Sequence, residues 1–211
     1  GIEFGAGPLR PIVERPQTKE SRHPRPQPQP EFSGGARAAI ASGSICCATD
    51  AAIDAGAVVR YAVLDGAAVG PGATIGPYTY LRPGAQLEID SKAGSFVEIK
   101  NSHVGPRSKV PHLSYIGDTT IGEDSNIGAA TITANYDGFE KNRTEIGDRV
   151  KIGSDTILVA PVSVGDDAYT GAGSVISKDV SPGSLALERS HQEEIPGYAE
   201  RRKHRAAEDG K

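Results

Sequence analysis

Aliphatic residues recur along this chain at intervals of mostly six residues, from Ile53 to Ile176. The positions are Ile53, Val59, Leu64, Val69, Ile75, Leu81, Leu87, Ile99, Val104, Val110, Ile116, Ile121, Ile127, Ile146, Ile152, Leu158, Val164 and Ile176, with Ala93, Thr133 and Thr170 in the missing places. This period is neither the 3.6 of a helix nor the two of a plain strand. Glycine often follows the aliphatic residue, and a small or β-branched residue often stands two positions before it. The pattern predicts a short strand with two inward side chains, then a corner whose backbone conformation glycine permits.

Three such strands and corners close a triangular coil of about 18 residues, and stacked coils form a parallel β-helix. The repeat predicts an all-β fold of roughly seven coils. One inserted loop interrupts them, because the interval from Thr133 to Ile146 is much longer than six. A core that is a ladder of aliphatic side chains suits a sequence with no Trp and only 5% aromatic residues. The period does not determine the handedness of the coil.

The ends of the chain differ in composition from the repeat. Seven of the 15 prolines precede residue 31, so residues 1–45 are predicted to be a Pro-rich extension, disordered or of artificial origin. Residues 46–180 are the predicted β-helix domain, and residues 181–211 a tail with a short charged helix. Because the chain contains no methionine, we expect a fragment or a processed product.

Charge and cysteine content exclude several functional classes. The formal net charge of −4 does not favour nucleic acid as a partner. No apolar run approaches the roughly 18 residues of a membrane span. Cys46 and Cys47 are adjacent and form neither a disulfide framework nor a metal site, which suits a reducing compartment and predicts a cytoplasmic protein.

Candidate functional residues lie where the chain departs from its repeat. One group is the polar insertion that begins at Asn135 and ends at Arg143. The other is a set of outward polar residues, 14 to 16 residues apart, that we expect on one wall of successive coils: Arg82, Glu98, Lys100, His112, Tyr115 and Asn126. Such a cluster predicts a site for a polar ligand, although each side chain considered alone is also an ordinary surface group.

Six ordered motifs carry a resemblance to a known family. They are Leu81-Arg-Pro-Gly84, Phe96-Val-Glu-Ile-Lys100, His112-Leu-Ser-Tyr115, Asn126-Ile-Gly-Ala129, Asn135-Tyr-Asp-Gly138 and Gly153-Ser-Asp-Thr156. The region from about residue 60 to 190 resembles the glucosamine-1-phosphate N-acetyltransferase domain of the bacterial bifunctional enzymes that make UDP-N-acetylglucosamine. Residues 1–52 contain no Gly-rich nucleotide loop of the kind that the family's uridyltransferase domain requires.

The resemblance implies a left-handed β-helix that assembles as a homotrimer with active sites between subunits. It implies acetyl-CoA as co-substrate, glucosamine 1-phosphate as acceptor, and no metal, nucleic acid or membrane. His112 would be the general base. The acceptor would contact Arg82, Lys100, Tyr115, Asn126 and Lys141. Acetyl-CoA would contact Ala129, Asn135, Tyr136, Ser154, Ala172 and Arg189.

The chemistry of acetyl transfer agrees with these roles. An ammonium cannot attack a thioester, so a base must remove its proton, and histidine titrates near neutral pH. Glu98 is a candidate to accept the other ring N–H of His112. The Asn135 amide is a candidate donor to the thioester oxygen as that oxygen becomes negative. Arg82 and Lys100 supply the fixed cations that a phosphate requires.

Three other functions remain to be compared with this one. A different hexapeptide acyltransferase would keep the fold and the CoA site and change the acceptor. A zinc hydratase on this fold would need three histidines at the metal, and only His103 and His112 lie in the repeat. A regulatory or oligomerisation β-helix would not require the polar cluster.

Overall fold

The computed structural model describes Ala39–Ile40 and residues 47–210, and it confirms the predicted fold class. These residues form an all-β parallel β-helix of about eight turns, consistent with the left-handed form. The turns exceed the predicted seven because strands already pair before Ile53. Most of the predicted extension at residues 1–45, and Cys46, lie outside the described residues.

Three parallel sheets form the faces of the β-helix, and successive strands along the chain visit sheets A, B and C in turn. Sheet A contains β1 (Ala39–Ile40), β4 (Val58–Val59), β7 (Thr74–Ile75), β10 (Lys92–Ser95), β13 (Lys109–His112), β16 (Asn126–Ile127), β19 (Lys151–Ile152), β22 (Tyr169–Thr170) and β24 (Leu185–Ala186). Sheet B contains β2 (Cys47–Thr49), β5 (Ala62–Asp65), β8 (Thr79–Leu81), β11 (Glu98–Lys100), β14 (Tyr115–Gly117), β17 (Ile132–Ala134), β20 (Ile157–Val159) and β23 (Val175–Ile176). Sheet C contains β3 (Ala52–Ile53), β6 (Ala68–Val69), β9 (Gln86–Leu87), β12 (His103–Val104), β15 (Thr119–Ile121), β18 (Thr144–Ile146) and β21 (Val162–Val164).

The three edges of the β-helix are the AB, BC and CA corners, each named after the two sheets that it joins. Leu113 lies at the AB corner, Asp118 at the BC corner and Asp124 at the CA corner of one coil. The inserted loop leaves β17 and returns to β18, so it projects from the BC corner. After the last coil, helix α1 (Tyr198–Asp209) is exposed along its whole length.

The core is the ladder that the sequence predicted. The aliphatic positions from Val59 to Ile176 are buried, and so are the residues two positions before them. Many of the latter are serines and threonines whose hydroxyls bond the neighbouring coil. Ser108 is typical, because its Oγ donates to the carbonyl of Gly122 and accepts from the backbone N–H of Ser125 at 2.9 Å. Most of these polar side chains therefore lie inside the core without losing their hydrogen bonds; Thr144 is an exception, because its buried hydroxyl has no partner among the described residues.

The reason predicted for most of the repeat glycines is wrong. The left-handed backbone occurs two or three positions after the aliphatic residue, often at non-glycine residues such as Asp90 (φ 55°) and Asp124 (φ 53°). Gly105, which directly follows an aliphatic position, has no positive φ. A Cβ at that position would lie 2.5 Å from the carbonyl oxygen of Gly122 in the next coil. Glycine is needed there because stacked coils leave no room for a side chain.

Candidate active site

The BC corner carries the positive side chains expected to bind phosphate. Arg82 directly follows β8, and Lys100 ends β11; the register of these strands places both at the same position on successive coils. Arg82 Nη1 donates to Glu98 Oε1 at 2.8 Å, and this bond raises the pKa of Arg82 above its ordinary value. The guanidinium carbon also lies 6.0 Å from the centroid of the Tyr80 ring. The arginine is therefore held on two sides.

The inserted loop brings Lys141 to Lys100. The nearby Lys141 side chain lowers the pKa of Lys100, and burial and the charge of Arg82 act in the same direction. The carboxylate of Asp118 opposes this shift. Three cations from separate segments thus share one corner. A bound anion would relieve the repulsion among them, so the BC corner is suited to a phosphate group.

Tyr115 and Asn135 place two polar atoms above the backbone of Gly117. A Cβ built at Gly117 would lie 2.5 Å from Tyr115 Oη and 2.7 Å from Asn135 Nδ2. Both atoms therefore occupy the space that a side chain at this position would fill. Asn135 is buried and donates one N–H to Asp118 Oδ2, which leaves its second N–H as the donor that a ligand can use.

The inserted loop is an ordered hairpin. Asn142 N–H donates to the Asn135 carbonyl at 2.7 Å, and Tyr136 forms an antiparallel bridge with Lys141. Asp137 accepts from the backbone N–H groups of Glu140 and Phe139 at 2.8 and 2.9 Å. These bonds lower the pKa of Asp137, with a smaller contribution from the Asn142 side chain. Lys141 is thus presented by a braced loop.

A second line of expected site residues runs along the AB corner. His112 ends β13, and the strand register places Ala129, Ser154 and Ala172 above it on the three following coils. Two backbone hydrogen bonds agree with this register, from Ala130 N–H to the His112 carbonyl at 3.3 Å and from Asp155 N–H to the Ala129 carbonyl at 2.7 Å. Arg189 Nη1 donates to the Ala172 carbonyl at 3.0 Å. Small residues lie between a histidine and an arginine at the two ends of this column.

The imidazole of His112 is exposed, and its expected contact with Glu98 is not formed. Glu98 pairs with Arg82 instead, so the prediction that Glu98 fixes the tautomer of His112 is wrong. Within residues 47–210 the His112 ring has no hydrogen-bond partner. His103, the other histidine of the repeat, is half-buried, and its Nε2 lies 3.0 Å from Glu88 Oε1.

The expectation of a single wall is wrong for Asn126, which lies on sheet A. Asn126 pairs with Lys109 and Lys151 on the neighbouring strands and lines a cavity of about 700 Å³ with them. The reason is the register, because from β7 to β16 residues in the same column are 17 or 18 apart, as Glu98 and Tyr115 are. Asn126 lies 14 residues after His112, three short of a full coil. It therefore stands in register with Lys109 on sheet A and not above His112.

The acetyl-CoA residues implied by the resemblance are also divided between two corners. Ala129, Ser154, Ala172 and Arg189 lie at the AB corner, whereas Asn135 and Tyr136 lie at the BC corner. Sheet B separates the two corners, and at the level of β14 it is three residues wide, about 10 Å. His112 and the cations of the BC corner therefore border one strip of sheet B, with Tyr115 between them.

Asp118 is a site residue that sequence reasoning missed. It follows the Tyr115-Ile-Gly117 strand directly, and its carboxylate bonds the side chains of Asn101 and Asn135. Aspartates recur at corners of this fold because they tolerate the left-handed conformation, so residue type alone did not distinguish Asp118. The remaining signal was its place beside the motif that contains His112 and Tyr115.

The described residues contain no group of three or more His, Cys, Asp or Glu side chains arranged to hold a metal. Nor do they contain a helix long and apolar enough to cross a bilayer.

Comparison with known proteins supports the resemblance seen in the sequence. Residues 143–178 match the family described as bacterial transferase hexapeptide (six repeats). The bifunctional protein GlmU of Streptomyces coelicolor is 56% identical over 155 residues, which is 74% of this chain and 32% of that protein. GlmU of Mycobacterium tuberculosis is 51% identical over 155 residues, which is 74% of this chain and 31% of that protein. This confirms the resemblance predicted from the motifs, and the chain spans about a third of the length of these relatives.

Among solved structures, UDP-N-acetylglucosamine O-acyltransferase (LpxA) from Moraxella catarrhalis aligns with a TM-score of 0.44 and 16% identity. The alignment covers 78% of this chain and 75% of the other.

Proposed function

We propose that this chain is a glucosamine-1-phosphate N-acetyltransferase that transfers the acetyl group of acetyl-CoA to the amine of glucosamine 1-phosphate. The observation that supports this most strongly is the cluster of Arg82, Lys100 and Lys141 at one corner, beside Tyr115 and the Asn135 amide. Three cations that repel one another in the free protein are suited to a substrate phosphate. The similarity to bifunctional GlmU proteins supports an acetyltransferase that uses acetyl-CoA.

In the proposed reaction His112 is the general base. With the acceptor phosphate at the BC corner, the sugar lies across the strip of sheet B that carries Tyr115, and the amine faces His112. The imidazole takes a proton from the ammonium, and the free amine attacks the thioester carbon. The C–S bond then breaks, the sulfur takes the extra proton that the attacking nitrogen still carries, and CoA leaves as a thiol while His112 returns its proton to solvent. Both substrates react directly, so no nucleophilic serine or cysteine is required.

The column above His112 is the proposed path of acetyl-CoA. Successive coils are about 4.8 Å apart, so the distance from His112 to the coil that carries Arg189 is roughly 15 to 20 Å. An extended pantetheine arm of that length can lie against Ala129, Ser154 and Ala172, whose small side chains permit a close approach. The acetyl end would then lie at His112, and Arg189 would face the anionic end of CoA.

We infer that a second copy of the chain completes the site and that the assembly is a homotrimer. One chain presents Asn126 on sheet A, Ser154 at the AB corner and Asn135 at the BC corner. These residues cannot all reach the same pair of substrates in one chain. A neighbouring copy that packs its sheet A or its AB corner against sheet B would bring them together. We also infer a cytoplasmic location, which the adjacent cysteines favour.

The test is an assay for free CoA thiol with the purified protein, acetyl-CoA and a series of acceptors. We expect thiol release with glucosamine 1-phosphate and much less with glucosamine, serine or a nucleotide-linked amino sugar. His112→Ala should lower kcat by roughly 10²–10⁴-fold, because general base catalysis contributes that much. His103→Ala is the matched control and should retain the wild-type rate, because His103 contacts Glu88 on sheet C.

The second candidate function is acetyl transfer to a different phosphorylated or nucleotide-linked amino sugar. The phosphate-binding corner favours it over serine acetylation, since that acceptor also carries a phosphate. Thiol release with a nucleotide-linked sugar, and none with glucosamine 1-phosphate, would establish this alternative. An unchanged rate in the His112→Ala protein would remove His112 as the base.

A further inference from the structure

We propose that Asp118 is a positioning residue for the acetyl transfer, because it holds the Asn135 amide and the base of the inserted loop and supplies the negative charge that faces Lys100. The proposal rests on the proposed function. Neither the sequence motifs nor the similarity to known proteins assigns a role to this residue.

The carboxylate of Asp118 is almost completely enclosed. The residue is 5% exposed, and both of its carboxylate oxygens accept a hydrogen bond from an amide side chain. Asn101 Nδ2 donates to Oδ1, and Asn135 Nδ2 donates to Oδ2. An ionised carboxylate is an acceptor only, so two amide donors satisfy it without a counter-ion in direct contact. A buried charge held in this way has a fixed orientation.

The bond to Asn135 determines which donor remains for a ligand. One N–H of Asn135 is committed to Asp118, so the side chain cannot rotate its carbonyl toward that carboxylate. Its Nδ2 atom is thereby kept above Gly117, next to Tyr115 Oη. Without Asp118 the amide would be free to turn, and the donor near Tyr115 would lose its preferred direction.

Asp118 binds both ends of the inserted loop, one through its backbone and the other through its side chain. Its carbonyl accepts from Thr144 N–H at 3.2 Å, where the loop returns to sheet C. Its side chain holds Asn135, where the loop leaves sheet B. Its own N–H donates to the Lys100 carbonyl at 3.1 Å. Asp118 therefore links the strand that carries Lys100 to the loop that carries Lys141.

The charge of Asp118 also acts on Lys100. Among the described residues, the charged groups with the largest influence on the Lys100 ammonium are Lys141, Arg82 and Asp118, and of these three Asp118 stabilises the protonated form. Glu98 is engaged by Arg82 and does not compensate. Loss of the Asp118 charge should lower the pKa of Lys100 further, so that Lys100 loses its proton at a lower pH and binds phosphate less well in alkaline solution.

Two variants separate the hydrogen bonds from the charge. Asp118→Asn keeps the size of the side chain and a residue that tolerates φ 51°, but removes the charge and places an amide nitrogen against a donor. Asp118→Glu keeps the charge and moves the carboxylate away from both amides. Asp167→Asn is the matched control, since Asp167 is also a left-handed corner aspartate and pairs with Arg149 at the CA corner.

Asp118→Asn should lower kcat by about 10- to 100-fold, the range expected for a lost hydrogen bond to a charged group. Its KM for glucosamine 1-phosphate should rise at a lower pH than in the wild type. Asp118→Glu should lower kcat while keeping the pH dependence of KM close to that of the wild type. Asp167→Asn should change neither parameter.

A measurement without substrate keeps the proposal separate from the proposed function. Competitive labelling of lysine amines with acetic anhydride over a pH range, followed by peptide mass spectrometry, gives the pKa of Lys100 in each protein. We expect a lower pKa of Lys100 in Asp118→Asn than in the wild type and in Asp167→Asn. If the wild type acetylates no amino sugar phosphate, the proposed function fails, and labelling still tests the effect of the Asp118 charge on the pKa of Lys100. If Asp118→Asn lowers only the melting temperature and leaves kcat, KM and Lys100 labelling unchanged, Asp118 is purely structural and the proposal is wrong.

Discussion

Gly117 connects the backbone of the β-helix to the chemistry of the site. Most glycines of the repeat face backbone atoms of the next coil, as Gly105 faces the Gly122 carbonyl. Gly117 differs, because the atoms that a Cβ would meet there are the ends of the Tyr115 and Asn135 side chains. Side-chain ends can move aside more easily than the backbone of a packed coil can. Substitution by alanine should therefore mainly reduce activity at Gly117 and mainly reduce stability at Gly105.

We expect Gly117→Ala to fold, with a smaller loss of melting temperature than Gly105→Ala, and to lose about tenfold or more in kcat/KM, because displaced polar groups no longer meet the substrate. Gly105→Ala should lower the melting temperature clearly, since the added methyl meets a carbonyl oxygen of the next coil. Thermal unfolding and the thiol-release assay on both variants check this. A Gly117→Ala protein with full activity would show that the positions of Tyr115 Oη and Asn135 Nδ2 are unimportant.

At the scale of the strands and corners, the sequence was sufficient for the core but not for the faces. The six-residue period places each aliphatic residue inward because a strand alternates its side chains, and Leu81 or Ile127 could be assigned without a structure. The face of an outward residue depends on the length of each coil, which varies from 16 to 19 residues outside the coil with the insertion. His112 and Asn126 were for this reason expected on one wall and lie on different parts of the surface.

The candidate site shows the same division. The motifs contain Arg82 and Lys100, the resemblance that they carry implied Lys141, and the structure brings these three together. They could not identify Asp118, because its role depends on contacts with Asn101 and Asn135 that the chain makes only after folding. A carboxylate that acts by positioning neighbouring side chains has no recognisable motif in the sequence.

The CA corner carries ion pairs between successive coils. Arg107 bonds both oxygens of Asp124 at 2.8 and 2.6 Å, and Arg149 bonds both oxygens of Asp167 at 2.8 and 2.9 Å. Arg107 also reaches Glu123 at 2.7 Å. The Arg107 guanidinium lowers the pKa of Asp124, and that of Arg149 lowers the pKa of Asp167. All these groups are exposed, so each pair contributes little to stability at neutral pH.

These ion pairs should affect how the stability of the fold decreases at acidic pH. A carboxylate whose pKa is lower in the folded state stabilises the fold above the unfolded value near 3.8, and this contribution disappears as the pH falls through the folded pKa. We therefore expect the melting temperature to fall below about pH 4, and to fall less steeply in Arg107→Gln. Arg60→Gln is the control, since Arg60 is exposed and has no ion pair within residues 47–210. Equal acid slopes in the wild type and Arg107→Gln would show that the corner pairs do not couple to folding. High salt should reduce the difference.

At the scale of the whole molecule, sheet B and the AB corner expose an apolar surface. Tyr61, Tyr78 and Phe96 stack on successive coils at the AB corner, with ring centroids 6.0 and 5.2 Å apart. Val63 and Tyr80 border them on sheet B and line a cavity of about 440 Å³. Exposed aromatic ladders of this kind are typical of surfaces that another protein covers. This surface lies beside the strip of sheet B on which the proposed reaction takes place, which agrees with a neighbouring copy as its partner.

A site shared between copies can be tested with two inactive variants. Arg82→Ala should remove the phosphate contact on sheet B of one chain, and Asn126→Ala should remove the sugar contact that we assign to sheet A of its neighbour. Each protein alone should lose most of its activity, because every site in the proposed trimer lacks one residue. The two variants are co-expressed with different affinity tags, and the mixed trimers are isolated through both tags in succession. In every mixed trimer one of the three interfaces joins an intact Arg82 to an intact Asn126, so about a third of the wild-type kcat should return. If both residues act within one chain, each chain of a mixed trimer still lacks one of them and no activity returns. Mixed trimers as inactive as the parent variants would therefore exclude a site shared in this way.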